Sequence, residues 1–159
     1  MKSWRQAMRD GLISGSVASV LSTIVLSVRG EHEEGTPYAP TNAISHWFFG
    51  DHAFYRNGRT LRYTGTGYAI HHASSTLWAV VYERWFGERA DRRDLPTALI
   101  GGATVAAMAC FTDYRLTPRR LRPGYEKRLS SASLFLVYAA FGAGLVVRGL
   151  TTSPARTYP

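Results

Sequence analysis

The chain carries one cysteine, Cys110, in 159 residues, which excludes an intrachain disulfide and a cysteine-rich metal cage. It has no phosphate-binding glycine loop and no nucleophile elbow: Ser14, Ser16, Ser19, Ser22, Ser130, Ser131 and Ser133 fall at small-residue packing positions. Internal repeats and low-complexity tracts are absent too. The most informative gap is in charge. The 19 basic and 11 acidic side chains leave residues 11–28, 63–82, 95–112 and 129–147 free of Asp, Glu, Lys and Arg. A soluble amphipathic helix needs a polar face at every turn, so four uncharged stretches of near-spanning length between charged connectors read as membrane helices. A charge at the centre of such a helix costs about 2.5–3.5 kcal/mol, which accounts for the gaps.

The whole-chain averages hide this pattern. A mean hydropathy of −0.14 and 19% charged residues suit a soluble domain, whose version here is a compact helical bundle with small core residues. The charges instead crowd the window ends: Arg9 and Asp10, Glu83 and Arg84, Asp113 and Arg115, and Arg148. The fold class expected is therefore all-α: one polytopic membrane domain over 1–159, spanning at about 10–28, 63–83, 95–113 and 129–148. Lys2, Arg5 and Arg9 before the first apolar run imitate a secretory signal, but the run exceeds a signal core of about 7–15 residues, so an uncleaved first helix is expected.

A net charge of +8 would in a soluble chain suggest nucleic acid. Here the arginines between spans face lipid headgroups, and nucleic acid is excluded as a partner. On a cytoplasmic N-terminus, nine basic residues fall inside, Arg156 among them, and ten outside, so the positive-inside rule sets no orientation. An even number of spans puts both termini on one side.

Gly11, Gly15 and Ser19 recur four apart on the first helix and Gly102, Ala106 and Cys110 on the third, while Ala132, Ala140 and Gly144 recur at multiples of four on the fourth. Such small-residue seams let backbones approach closely, within one chain or between copies. Membrane lipids are the partners implied, with a homo-oligomer or other membrane proteins left open by the seams. The connector from Arg29 to Arg62 turns aromatic after Pro40, where Thr41 or Asn42 is the expected cap. An interfacial or re-entrant segment over about 41–56 is one reading, and an ordinary loop with interfacial aromatics the other.

The sharpest candidates for chemistry are His71 and His72 near the middle of the second window, with Glu83 on the same polar side. They read as interhelical hydrogen-bonding groups, as proton-handling groups, or as haem or metal ligands. Adjacent histidines point about 100° apart and cannot clamp one ion without a third ligand, and no other window holds His, Asp or Glu. His46 and His52 match no metal spacing. Arg115, Arg119, Arg120 and Arg122 form a candidate lipid- or anion-binding patch, or a solvated charged turn. No cofactor is specified, and without paired intramembrane carboxylates nothing argues for an enzyme.

The run Leu116-Thr117-Pro118, then Pro123-Gly124-Tyr125-Glu126, between the last two spans, resembles the corresponding stretch of the YagU-like family of bacterial inner-membrane proteins. A glycine-bearing first helix, a long proline-bearing connector and a histidine-bearing second helix extend the likeness, whereas the final helix here has no histidine. The resemblance implies a bacterial inner membrane, and an arginine-to-lysine ratio of 17 to 2, common in GC-rich genomes, points to a bacterial source. The family has no defined activity and supplies no catalytic residues. The sequence thus leaves three functions: a non-enzymatic component contacting lipid or other membrane proteins, a small transporter or channel subunit with a path lined by His71, His72, Ser75 and Tyr82, or a haem- or metal-binding redox component.

Overall fold

The structure, a computed structural model, describes residues 1–151; Arg156 lies outside the described residues. No strand occurs among them. The α-helices are α1 (Trp4–Glu34), α2 (Ala39–Ile44), α3 (His46–Phe49), α4 (Thr66–Trp85), α5 (Gly87–Asp91), α6 (Leu95–Phe111) and α7 (Ser131–Thr151). A π-helical turn, Leu61–Gly65, leads into α4, and another, Thr112–Leu116, extends α6.

Three helices are long and apolar enough to cross a membrane: Trp4–Glu34, Leu95–Leu116 and Ser131–Thr151. The expected fourth span, α4, falls short in composition because its inward side is polar. The first helix outruns the expected 10–28. Ser3 caps it, with the Ser3 side chain accepting from the Gln6 N–H and the Gln6 side chain accepting from the Ser3 N–H. It ends where Gly35 takes a left-handed φ of 67°. At 31 residues it is about 46 Å long, past the roughly 30 Å of a hydrocarbon core.

The first helix is the hub. Antiparallel α4 and α7 flank it, and α6 packs on α7. The predicted seams lie at these contacts, inside the chain. A Cβ on Gly15 would sit 2.6 Å from the Thr76 Cα, and one on Gly102 2.5 Å from the Gly142 carbonyl oxygen. The α4 seam (Gly11, Gly15, Ser19) and the α7 seam (Ala18 against Gly144) occupy different faces of α1. Ala132, expected in the last seam, is exposed; Gly142 does that work instead. Lipid supplies no hydrophobic drive between helices, so close backbone approach and polar bonds must hold them.

The aromatic connector does not form one interfacial helix over 41–56. It breaks into α2, α3 and a 3-10 turn, Gly50–Tyr55, folded over the end of the long helices. Neither Thr41 nor Asn42 caps α2; Tyr38 holds that position and both residues are buried within the helix. Asn42 Nδ2 donates to the carbonyls of Arg56 (2.8 Å) and Gly58 (3.0 Å), and Oδ1 accepts from Thr64 (2.7 Å), which pins the loop. A buried amide satisfied on all sides specifies one loop path. His46 and Trp47 then reach the other connector, at the carbonyls of Arg120 (3.0 Å) and Arg122 (3.0 Å).

Candidate functional site

The two intrahelical histidines face α1, each on its own serine. His71 Nε2 lies 2.8 Å from Ser22 Oγ, and His72 Nδ1 lies 2.8 Å from Ser19 Oγ. Ser22 commits its proton to the Ala18 carbonyl at 2.7 Å, so it accepts from His71, which fixes the Nε2–H tautomer. The seam periodicity of α1 thus continues as a polar ladder: glycines where α4 comes closest, serines where imidazoles need partners. The histidines do not converge on a shared point, and among the described residues no group of three or more His, Cys, Asp or Glu is placed so that it could hold a metal ion.

Glu83 is far removed from this pair in role. Fully buried, it receives Arg148 Nε at 2.7 Å and Nη2 at 2.8 Å, Lys2 Nζ at 2.6 Å, and the Ser14 hydroxyl. Lys2 also meets Asp10 (2.9 Å) and Asp91 (2.8 Å), and Arg148 meets Asp91 (2.6 Å). Five charged groups, two basic and three acidic, therefore tie α1, α4, α5, α7 and the N-terminal segment together. Burial opposes the Lys2 ammonium, but its bonds to Asp91, Glu83 and Asp10 outweigh that and hold its pKa above the usual 10.5. The sequence reading placed Asp10 and Arg148 as flanking charges and missed Lys2 and Asp91 as partners. The available signal was topological: with alternating helix directions, these window ends share one side.

At the opposite end Glu33, on the last turn of α1, accepts the Ser130 N–H (2.7 Å) at the entry of α7 and the hydroxyl of Ser133. A carboxylate there complements the helix dipole.

The four predicted arginines separate. Arg122 Nη2 bonds the Tyr114 carbonyl at 2.9 Å. Arg115 borders an apolar groove between α6 and α7 beside Phe111 and Phe135. Only Arg119 and Arg120 share a site, an open cleft of about 790 Å³ whose walls include Lys127, Asp51, Glu126, His46 and Tyr55. Among the described residues their guanidinium groups make no ion pair, although Glu34 also lines the cleft.

A last polar place lies where α4 and α6 diverge. Two adjoining cavities of about 40 and 190 Å³ share His71, Ser74, Asp113 and Tyr125 as lining. Tyr125 donates to the Tyr138 hydroxyl (3.1 Å), which donates to Asp113 Oδ2 (2.6 Å). Burial holds the Tyr125 hydroxyl far above its ordinary pKa, so it stays protonated. His71, Ser74 and Ser75 line this crevice as a transport path requires, but His72 and Tyr82 do not; Tyr82 is buried against the Ala98 carbonyl at 3.4 Å. Asp113 was read from sequence only as a flanking charge.

Fold and sites define an all-helical protein with three membrane-competent helices. No protein family, curated protein or solved structure matches the chain.

Proposed function

We propose that the chain is a non-enzymatic, four-span component of a bacterial inner membrane that binds phospholipid headgroups at its connector end. The carrying observation is the cleft with Arg119 and Arg120: guanidinium groups without ion pairs among the described residues, on the end where aromatic Phe48 and Tyr55 are exposed, suit phosphate at a membrane surface. The fourth span is α4. Its polar side is covered by Ser14, Ser19 and Ser22 of α1, so low apolarity does not bar it from the bilayer. Likeness to the YagU-like family and the arginine-heavy composition support the inner-membrane location. Native mass spectrometry of protein extracted in mild detergent tests the binding. Stoichiometric phospholipid on the wild type, reduced at least tenfold in Arg119→Ala/Arg120→Ala, is expected; equal lipid on both contradicts it.

A second reading, a small solute-handling subunit, is favoured by the crevice between α4 and α6 with its polar wall. The redox reading gains nothing, because the two histidines diverge onto separate serines and among the described residues no group of three or more His, Cys, Asp or Glu is placed to hold a metal ion.

A further inference from the structure

We propose that the crevice between α4 and α6 binds a small monovalent cation of the primary-ammonium class at Asp113. The inference rests on the second reading above and names the charge of the solute.

Among the described residues Asp113 accepts one hydrogen bond, from Tyr138 (2.6 Å), and no Lys, Arg or His side chain pairs with it. The charged group whose field reaches it is another carboxylate, Glu126, and Glu126 accepts the Gly124 N–H at 2.7 Å. The contrast with the other end is direct: Glu83 has two cations, Asp113 none. A carboxylate half removed from water stays ionised only with a cation or several donors, and one tyrosine is a weak substitute.

The surroundings fit an ammonium group. The Tyr125 oxygen spends its proton on Tyr138 and keeps acceptor capacity toward the cavity. Ser74 supplies a further hydroxyl, and the His71 Nδ1 is left as an acceptor by its tautomer. Aromatic rings of Trp47, Trp78 and Phe141 complete the wall, and aromatic faces attract cations within about 6 Å. The larger cavity, about 190 Å³, is below the roughly 300–1,000 Å³ of pockets for drug-sized ligands. It admits ammonium or methylammonium with a few waters. Leu121, which lines the larger cavity from the connector, is exposed, which gives the site an entrance at the membrane surface.

The test is protection of a thiol at that entrance. Leu121→Cys in a Cys110→Ala background, in detergent, is treated with a hydrophilic thiol reagent while methylammonium, choline or sodium chloride is varied at constant ionic strength. The expected result is saturable slowing of labelling, at least fivefold, by methylammonium and not by choline, abolished by Asp113→Asn. Brisk labelling that methylammonium and choline affect equally overturns the cation site while leaving a wet crevice. Absence of labelling overturns both the wet crevice and the site within it. The comparison of salts needs only the one accessible-cysteine protein, so it decides the matter even if Asp113→Asn does not fold.

Discussion

Glu83 and Arg148, 65 positions apart, meet in a two-pronged pair with both contacts under 3 Å, at 2.7 and 2.8 Å. The pair joins the C-terminal ends of α4 and α7 across the N-terminal part of α1. Carboxylate and guanidinium match in geometry, and the surrounding burial makes the match strong only while both partners are present.

Removing Arg148 leaves buried Glu83 with Lys2, and removing Glu83 leaves Arg148 with Asp91, so each charge loses its two-pronged partner. Arg148→Ala and Glu83→Ala should each cost up to about 3–5 kcal/mol. The double variant should cost clearly less than their sum, because the partner left short of bonds is gone as well. Reversible denaturation of the detergent-solubilised protein measures the coupling, and strictly additive losses would refute it.

Lys2 gives the same network a pH signature. Its folded pKa is raised above 10.5, so its contribution is complete below that value and is lost as pH rises through the folded value. Thermal midpoints should hold to about pH 10 and then decline. In Lys2→Met, which is less stable at neutral pH, that alkaline decline should flatten. An unchanged alkaline slope in the variant would remove Lys2 from the network.

The contact of α1 with α4 predicts a steric penalty. Gly15→Val places carbon where the Thr76 Cα already lies at 2.6 Å, forcing the backbones apart at a cost of about 1–3 kcal/mol or more. Ser22→Ala, which only deprives His71 of its partner, should cost about 0.6 kcal/mol, the mean for interhelical bonds in membranes. Thermal denaturation of both variants ranks them; a Ser22→Ala loss exceeding that of Gly15→Val would reverse the account of that seam.

Chelation and spectroscopy address the histidines. With the two imidazoles diverging onto separate serines and no metal-competent group of His, Cys, Asp or Glu among the described residues, the account expects no Soret band in purified protein and no change in thermal midpoint with excess EDTA. The absorption spectra of His71→Ala and His72→Ala should match the wild type. A chromophore or stoichiometric metal lost in either variant would restore the ligand reading.

The gaps in charge made the long helices legible because excluding charge from a span is a local rule, readable without partners. Gly11, Gly15 and Ser19 were legible for the same reason: spacing alone puts them on one face. What escaped was pairing between distant segments. Asp10 and Arg148 look like ordinary flanking charges until α1 and α7 lie antiparallel. Asp113 is a flanking charge in sequence and becomes a lone carboxylate only when α4 diverges from α6. The connector was legible only as an aromatic segment, open to an interfacial or re-entrant piece or to a loop; its broken, buried path depends on Asn42 and on Gly67, whose Cβ would lie 2.0 Å from the Thr41 carbonyl oxygen, and those partners are set by the fold.

The span count of α4 is the claim on which the arrangement turns, since composition alone admits three membrane-crossing helices. Reporter domains active on only one side of the membrane, fused in turn to the N- and C-terminus, measure it directly. Four spans predict both termini in the same compartment; termini in opposite compartments would take α4 out of the bilayer and contradict the account.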